Sequence, residues 1–383
     1  MYFAFVLAGL LLGLVLLGRP RLLDPRRDAD RDGSAASLRP VGSLIVIIPA
    51  RNEASSLPRL LADLAAQHAP IRAIIVADDQ STDDTAALAA AGGATVVPVP
   101  PLPAGWMGKP WACESAVASL ASEAGADDVL VFLDADVRLA PDAFDHLADR
   151  LRRDDVVSVQ PFHEAESSRE QFSVMFNIVS AMGIGLGTDH PNAVVGPLIA
   201  CRSSLYRQVG GHGSVARCIA EDVALGARFV ATGARVRVYA GGRSVRYRMY
   251  PGTWRDLLDG WTKNVATGAG SVPRRRSIAI ALWVTALGAA IGTLSRVDLN
   301  ATDPVERFGP AAVIVAAMLV MRSGARRAGS FRAWCWWLYP IVLAFFMAVF
   351  FRSVMATLVL RKVRWKDRSV PLAPEPVAVE RAL

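Results

Sequence analysis

Residues 129–137, with the sequence VLVFLDADV, constrain the fold more than any other part of the chain. Five consecutive apolar residues have the length of a strand that is covered on both faces, which is typical of the centre of an α/β sheet. The strand ends at Asp134 and Asp136, and ligands of open α/β sheets bind at that edge. Two carboxylates so placed can share Mg²⁺ or Mn²⁺ and leave coordination sites for phosphates. Ordinary turn chemistry after a strand is the alternative interpretation.

The composition indicates a membrane protein with a water-soluble middle. The 383 residues are 52% hydrophobic, with a mean hydropathy of +0.31, and the apolar excess lies at the two ends. The net charge of +7 comes largely from arginines beside apolar segments, which favours contact with an anionic membrane leaflet. The sequence carries no nucleic-acid-binding signature, so we expect no nucleic acid partner. The four cysteines are far apart, which predicts reduced thiols.

An apolar run at the N-terminus predicts a membrane anchor. Residues 2–17 are almost uninterruptedly apolar, and the run extends to Leu23 if its two arginines reach the headgroup region. Positive charge follows the run, whereas a cleaved signal peptide has it in front. We therefore predict an uncleaved anchor over residues 1–23 with its N-terminus outside. Residues 24–42, rich in Arg, Asp, Gly and Ser, are predicted to be an exposed linker.

From residue 43 onwards, strand and helix patterns alternate. Short apolar runs at residues 44–48 and 73–77 predict buried strands, and leucines recur at helical spacing between them. The alternation continues through the strand at residue 129 to further strand patterns near residue 236. Repeated βα units predict an α/β domain over residues 43–250 with a mostly parallel, Rossmann-like sheet and right-handed crossovers.

The end of the chain predicts further contact with the membrane. Tryptophan and leucine recur on one helical face in residues 251–272, as in a helix at the bilayer surface, although a core-facing helix has the same pattern. Three apolar segments follow within residues 273–360, and arginines place the start of the first and the end of the second in the cytosol. The third is basic on both flanks. A hairpin broken near Pro340 would leave the basic tail, residues 361–383, in the cytosol, whereas one crossing would not.

Four motifs with chemical character follow one another in the soluble part: residues 48–53 (IPARNE), 78–83 (DDQSTD), 134–136 (DAD) and 221–222 (ED). Their order and spacing resemble family 2 glycosyltransferases of the GT-A fold. The chain is closer still to the carotenoid-type branch, the 4,4'-diaponeurosporenoate glycosyltransferases. That resemblance is carried by residues 105–109 (GWMGK), 158–161 (SVQP), 210–212 (GGH), 248–250 (RMY), 260–263 (GWTK) and 267–270 (TGAG).

The resemblance implies a nucleotide-sugar site. Its residues would be Pro49, Arg51, Glu53, Asp78, Asp79, Lys109 and Asp134. Asp79 would accept a hydrogen bond from the uracil N–H, with helix capping as the alternative role of the aspartate pair. Lys109 would offset diphosphate charge, unless it is a solvated loop lysine. Asp134 and Asp136 would hold Mg²⁺ or Mn²⁺, which stabilises the leaving diphosphate.

Glycosyl transfer also needs a group that takes the proton of the acceptor. The resemblance assigns this role to Asp222, with Glu221 as second choice, and the alternative is a residue that merely starts a helix. A carboxylate acceptor is already ionised at neutral pH and needs no base, so the presence of Asp222 favours a hydroxyl acceptor. The implied acceptor and interface residues are Gly196, Pro197, His212, Arg248, Trp261 and Lys263.

One departure from the family pattern concerns residue 260. Processive and ceramide-type relatives have a Gln/Arg-x-x-Arg-Trp motif, and the matching run here, residues 257–261, has Gly260 in the place of the arginine. Trp261 remains, and Lys263 or Arg248 is a candidate source of the missing positive charge. The departure makes a processive polymer synthase less favoured.

We therefore predict a multi-pass protein of the cytoplasmic membrane whose catalytic domain faces the cytosol. The predicted reaction is inverting, metal-dependent transfer of a hexose from a UDP-sugar to an apolar lipid acceptor of carotenoid or other isoprenoid type. A polysaccharide synthase is the alternative within enzymes. The alternative from another class is an inactive, membrane-anchored nucleotide-sugar-binding protein.

Overall fold

A computed structural model describes residues 2–27, 38–120, 124–188, 191, 193–218, 220–268, 272–298, 300–356, 362–365 and 368–371. Its strands are β1 (Leu44–Ala50), β2 (Ile71–Asp78), β3 (Thr95–Pro98), β4 (Val129–Leu133), β5 (Val137–Leu139), β6 (Val156–Gln160), β7 (Phe162–His163), β8 (Leu198–Arg202), β9 (Val236–Ala240), β10 (Val245–Tyr247), β11 (Lys362–Trp365) and β12 (Arg368–Pro371). Most of the predicted linker and most of the basic tail lie outside the described residues.

The α-helices are α1 (Tyr2–Leu17), α2 (Leu57–Ala65), α3 (Thr85–Ala91), α4 (Gly108–Ser119), α5 (Ala143–Leu151), α6 (Val174–Ile184), α7 (Ser203–Gln208), α8 (Glu221–Ala231), α9 (Trp254–Gly268), α10 (Arg274–Gly292), α11 (Pro304–Ala328), α12 (Trp334–Trp337) and α13 (Tyr339–Met355). Short 3₁₀ helices cover Pro25–Arg27, Glu170–Ser173, His212–Val215 and Thr293–Arg296.

A seven-stranded sheet forms the centre of the soluble part. Its strand order is β3-β2-β1-β4-β8-β6-β9, and every neighbouring pair is parallel except the two that involve β8. All five residues of β4 are buried, because helices cover both faces of the sheet. The predicted α/β domain with a mostly parallel sheet is confirmed.

The two faces of the sheet pack into separate apolar layers. Along β1, Val46 and Ile48 join the layer beneath α2 and α5, whereas Ile45 and Ile47 join the layer beneath α4 and α8. This alternation follows from the two-residue period of a strand. The sheet is thereby held rigidly between two helical layers, and its carboxyl edge is a fixed platform for side chains.

Residues before 43, the predicted start of the α/β domain, also pack against this domain. The Leu23 N–H donates to the Ala240 carbonyl at 3.0 Å, and Ala240 N–H donates to the Arg21 carbonyl at 2.8 Å, so this segment extends the sheet beyond β9. Leu23 is fully buried in the core, and Arg150 donates to the Leu22 carbonyl at 2.7 Å. The end of the predicted anchor therefore pairs with the soluble domain.

Three apolar helices form a bundle beside the domain. The helix Arg274–Arg296, which contains α10, and α11 are long and apolar enough to cross a membrane, and α1 is a shorter apolar helix. Helix α1 runs antiparallel to α10, because Tyr2 contacts the Ala289 carbonyl near one end and Gly13 faces Trp283 further along. Many outward-facing apolar side chains of these helices are exposed, as expected for a surface that meets lipid.

A glycine allows the close approach of α1 to α10. A Cβ at Gly13 would lie 2.2 Å from Trp283 Nε1, whereas a Cβ at Gly288 in α10 would meet nothing within 4 Å. We expect Gly13→Val to destabilise the folded protein by about 1–3 kcal/mol through overpacking. Thermal unfolding in detergent measures this, with Gly288→Val as the matched control. Equal melting temperatures for the two variants would contradict the predicted contact.

The last apolar segment does not form one continuous helix. It consists of the single turn α12 and the longer α13, with a break at Leu338 near the predicted position. Helix α13 lies beside α9, since Ser353 Oγ donates to the Thr262 carbonyl at 2.8 Å. The segment therefore packs along α9, with Phe345 near Trp254 and Arg352 bonded to Asp259.

Candidate active site

A large cavity opens at the carboxyl edge of the sheet. It has a volume of about 1580 Å³ and lies where β1, β2 and β4 end. Because these strands are parallel, their carboxyl ends meet at one edge and bring Pro49, Arg51, Asp79, Asp134 and Asp136 to the cavity wall. Residues from three separate sequence motifs therefore face one space.

The loops after β1 and β2 are tied to each other. Arg51 Nη1 donates to the Asp79 carbonyl at 2.6 Å, and Asn52 Oδ1 accepts from the Thr82 N–H at 2.8 Å. Asn52 and Gln80 both have left-handed backbone conformations, with φ of 52° and 56°. Such conformations are costly for non-glycine residues and cluster at functional sites. These loops form a rigid polar edge that can hydrogen-bond to a nucleotide base.

The two aspartates that follow each other in the second motif have different environments. Asp79 is 3% exposed and lines the cavity. Asp78 does not line it, and its Oδ1 is a buried atom to which no described residue donates. Glu53 lines the cavity and accepts a hydrogen bond from Ser56 Oγ at 2.7 Å. Of these three predicted nucleotide-binding residues, Asp79 and Glu53 line the cavity and Asp78 does not.

Lys109 is the cation at the centre of the acidic part of the cavity. Its Nζ lies 2.6 Å from Asp134 Oδ1 and 3.6 Å from Glu221 Oε1, and it donates to the Gly196 carbonyl at 3.4 Å. Burial alone would lower the pKa of Lys109, but the charges of Asp134 and Glu221 outweigh burial and raise that pKa above its ordinary value. Lys109 is thus a charged residue of the site and not a solvated loop lysine.

The two carboxylates after β4 present the ligands that hard divalent cations prefer. Asp136 is exposed to the cavity, but the surrounding protein removes much of its bulk solvent. This desolvation, and then the charges of Asp134 and Glu53, raise the pKa of Asp136 to about 7. Among the described residues no group of three or more His, Cys, Asp or Glu side chains is arranged to hold a metal. A cation held by Asp134 and Asp136 would complete its shell with substrate oxygens and water.

Glu221 and Asp222 occupy the first turn of α8, opposite the strand ends. Asp222 Oδ2 accepts from the Gly196 N–H at 2.9 Å, and its Oδ1 accepts from the Val223 N–H at 2.9 Å. Burial raises the pKa of both carboxyls, that of Glu221 to about 7, and Lys109 partly opposes the rise. A carboxylate with raised proton affinity, fixed by two backbone donors, can act as a general base.

Five of the six predicted acceptor residues line the cavity: Gly196, Pro197, Arg248, Trp261 and Lys263. His212 does not. It is 3% exposed, and its Nδ1 lies 2.8 Å from Tyr206 Oη inside the domain. Burial lowers its pKa to about 3, so it is a neutral residue of the core. His212 is therefore the residue among the six predicted that does not contact the cavity.

Arg248 is already neutralised by acidic neighbours. Its Nη2 lies 2.8 Å from Glu170 Oε1, and its Nη1 lies 2.7 Å from Glu166 Oε2. Glu170 is fully buried, so the pair is a fixed structural element. Arg248 therefore does not replace the positive charge of the family's arginine, for which this chain has Gly260.

The apolar half of the cavity is formed by side chains of α6, α10 and α13, among them Val179, Ile280, Val284, Phe346 and Phe350. The sequence analysis assigned no site residue to α10 or α13. Apolar residues in apolar helices carry no signal that distinguishes a cavity wall from a lipid-facing surface. The sequence analysis also assigned no role to Tyr250 and Asn264, which both line the cavity.

Two solved structures of glycosyltransferases are similar to this chain. A mannosyltransferase from Pyrobaculum calidifontis, in complex with GDP-Man and Mn²⁺, has a TM-score of 0.47 at 15% identity, over 94% of this chain and 100% of that one. Glucosyl-3-phosphoglycerate synthase from Mycobacterium tuberculosis, in complex with Mn²⁺, UDP and glucosyl-3-phosphoglycerate, has a TM-score of 0.40 at 21% identity. That match covers 61% of this chain and 81% of the synthase.

Sequence similarity extends over almost the whole chain. The family model of Glycosyl transferase family 2 matches residues 45–207. The 4,4'-diaponeurosporenoate glycosyltransferase of Staphylococcus aureus strain USA300 is 32% identical over 344 residues, which are 87% of this chain and 89% of the relative. The enzyme of that name from strain MRSA252 is 31% identical over 345 residues. With this identity and coverage, and with the predicted motifs gathered around one cavity, the chain belongs to glycosyl transferase family 2.

Proposed function

We propose that this glycosyltransferase moves a hexose from a UDP-sugar to a lipid acceptor in the membrane, with inversion at the anomeric carbon. The observation that carries the proposal is the continuity of the cavity from the carboxylates at the sheet edge to the apolar side chains of α10 and α13. A water-soluble donor and a water-insoluble acceptor can meet only where polar and apolar surfaces join.

The donor would lie along the sheet edge. Arg51, Glu53 and Asp79, with the backbone at Pro49, would bind the base, and the Asp79 carboxylate would accept from the uracil N–H. Lys109 orients the Asp134 carboxylate from 2.6 Å and brings a positive charge to the place of the diphosphate. Asp134 and Asp136 would hold Mg²⁺ or Mn²⁺, which supplies charge stabilisation for the departing diphosphate.

The acceptor would approach from the apolar side, opposite the diphosphate. Asp222 would take the proton of an acceptor hydroxyl, and the attack of that oxygen would displace the diphosphate in one step with inversion. The backbone N–H groups of Gly196 and Val223 hold the Asp222 carboxylate in place, so little reorganisation is needed. Glu221, which lies 3.6 Å from Lys109, would keep that lysine in position and is the second choice for the base.

The same observations weigh against the alternatives. A polysaccharide synthase would need a polar path for its growing chain, whereas the acceptor end here is lined by residues such as Ile280, Val284 and Phe350. An inactive sugar-nucleotide-binding protein has no need for a base, whereas Asp222 faces the cavity. The Staphylococcus aureus relative is named for diaponeurosporenoate, which supports a long isoprenoid acceptor for this chain as well.

The contacts of the apolar helices support a membrane orientation. The N-terminal end of α10 contacts the soluble domain through Arg276, which donates to the Met182 carbonyl at 3.4 Å. The C-terminal end of α11 contacts it through Ser330, whose N–H donates to the His163 carbonyl at 2.8 Å. Three crossings by α1, α10 and α11 would place the domain in the cytosol of the cytoplasmic membrane, where UDP-sugars are found.

The final apolar segment would enter the membrane and return on the same side. At its start, the Arg332 N–H donates to Gln171 Oε1 at 2.7 Å, and at its end Ser353 Oγ donates to the Thr262 carbonyl at 2.8 Å. Both partners belong to elements beside the soluble domain. A segment with both ends on one side does not cross, so the basic tail would stay in the cytosol, in accord with its charge.

We expect a cysteine in the tail to react only from the cytosolic side. The variants are Ser369→Cys in the tail and Ser295→Cys at the far end of α10, both in a Cys218→Ser background. Membrane-impermeant maleimide applied to inverted vesicles should label the tail but not position 295. Asp127→Cys is the control, because the Asp127 side chain is 89% exposed on the soluble domain. Equal protection of position 369 would contradict the re-entrant segment.

The direct test of function is incubation of the purified protein with UDP-glucose, Mn²⁺ and a panel of lipid extracts, followed by mass spectrometry of the lipids. We expect a product heavier by one hexose in at least one extract, and none with Asp222→Ala. A ladder of several hexoses would favour the polymer synthase. The absence of any hexosylated lipid, with several sugar nucleotides tried, would refute the proposal.

A further inference from the structure

A tyrosine sits at the boundary between the polar and apolar halves of the cavity. Tyr250 follows β10 and has a left-handed backbone with φ of 55°, a strained conformation for a bulky residue. Its ring lies on Gly260 of α9, where a Cβ would come within 2.2 Å of the ring. Strain on one residue and the absence of a side chain on the other together hold the ring in the cavity wall.

The hydroxyl of this tyrosine is oriented by a neighbour. Asn264 Nδ2, one helical turn after Gly260, donates to Tyr250 Oη at 2.9 Å. In that bond the Tyr250 oxygen is the acceptor, so its O–H proton is still available, and no group among the described residues accepts it. Burial, with the nearby Tyr247 and Asp136, raises the pKa of Tyr250, so the phenol stays a neutral donor at physiological pH.

The cationic side chain nearest to Tyr250 along the chain is already paired with two carboxylates. Arg248, the nearest residue along the chain with a cationic side chain, is paired with Glu170 and Glu166 at 2.8 and 2.7 Å. The Asp136 carboxylate is close enough to help raise the pKa of Tyr250. A doubly charged phosphate head group beside Tyr250 would face this carboxylate while Arg248 is already paired, whereas a hydroxyl or a single carboxyl would need only a neutral donor.

We propose that Tyr250, seated on Gly260, binds the oxygen of the acceptor head group through its O–H and selects lipid alcohols or acids against lipid phosphates. The proposal rests on the proposed function, since it assigns the acceptor to this cavity. The bound oxygen lies between Tyr250 and the Asp222 carboxylate, with the lipid chain directed toward α10 and α13. Gly260 acts indirectly, as the residue whose missing side chain provides the space for the ring.

The test measures binding separately from turnover. The probes are a C30 isoprenoid alcohol, the corresponding acid and a polyprenyl phosphate, each bound to the detergent-solubilised protein in the presence of UDP and Mn²⁺. Tyr250→Phe keeps the ring and removes the donor, so Kd for the alcohol or the acid should rise about tenfold, the worth of one hydrogen bond. Tyr2→Phe, at the far end of α1, is the matched control and should match the wild type.

Further variants separate a binding role from a structural one. Gly260→Ala should weaken alcohol or acid binding as much as Tyr250→Phe, and the double variant should be no worse than either, because both remove one interaction. The KM for UDP-sugar of Tyr250→Phe should not change, and its melting temperature should fall only slightly, because the hydrogen bond from Asn264 is lost. If the wild type transfers hexose and Tyr250→Phe leaves the KM for the acceptor unchanged, the role assigned to Tyr250 is wrong, whereas the proposed function stands.

The probes themselves give two further decisive results. If the polyprenyl phosphate binds best, or if the wild type binds neither alcohol nor acid, the assignment of Tyr250 is wrong whatever the activity. If alcohol or acid binds with the expected dependence on Tyr250 but no hexose is transferred from any donor, the inference stands and the proposed reaction fails.

Discussion

Replacement of Asp222 by asparagine is expected to lower kcat for transfer to a lipid alcohol about a thousandfold, within the range that general-base catalysis contributes. The amide oxygen can still accept from the Gly196 N–H, so the fold of the site and the KM for UDP-sugar should change little. Steady-state kinetics with purified protein measure both constants. Asp127→Asn, on an exposed side chain, is the matched control.

The expected effect of Asp222→Asn depends on whether the acceptor is a lipid alcohol or a lipid acid. A lipid acid is ionised at neutral pH and needs no base, so its transfer should be almost insensitive to Asp222→Asn. For a lipid alcohol, the wild-type rate should fall as pH decreases and the carboxylate gains a proton. Because burial raises the pKa of Asp222, this fall should begin at a higher pH than for an ordinary aspartate. An unchanged kcat with an alcohol in Asp222→Asn would rule out the assigned base.

Lys109→Met is expected to lower kcat/KM for UDP-sugar about a hundredfold or more and to destabilise the protein as well. Without the ammonium group, Asp134 and Glu221 repel each other in a partly desolvated cavity. The Asp134 side chain keeps 30% exposure, so solvent screens part of this cost, and we expect about 1–3 kcal/mol in the free energy of unfolding. Isothermal titration with UDP and chemical denaturation measure the two effects.

Lys109→Arg separates the contributions of charge and shape. It retains the positive charge, so stability should recover, but the larger planar group does not fit between Asp134 and the Gly196 carbonyl as an ammonium does. We expect wild-type stability with incomplete recovery of UDP affinity. If Lys109→Met bound UDP as tightly as the wild type, the lysine would have no part in holding the diphosphate.

Much of the soluble fold follows from local patterns. The strand at residue 129 is buried on both faces, as its five apolar residues require, and its carboxylates emerge at the cavity. Parallel strands put their carboxyl ends at one edge, so motifs far apart in sequence meet without any further information. For the same reason Asp79 and Asp134 face one space, although 55 positions separate them.

Other features depend on neighbours from distant segments of the chain. Leu23 joins the core because β9 offers an open edge for Arg21 and Leu23 to pair with, and nothing within residues 1–42 predicts that edge. His212 became a candidate through its motif, but the hydroxyl of Tyr206 and burial make it a core residue. Arg248 looked like a free cation until the fold placed Glu170 and Glu166 around it.

By itself, the sequence determined the α/β class, the family, the edge of the sheet that binds ligand and the apolar character of both ends, because strand and helix periods and motif order are local properties. Only the tertiary structure decided how the acceptor side is built. The apolar wall arises from packing α6, α10 and α13 together, and Tyr250 enters it because Gly260 lies opposite. Which surfaces pack together depends on segments that are far apart in the chain, so the sequence of one segment alone does not determine the packing.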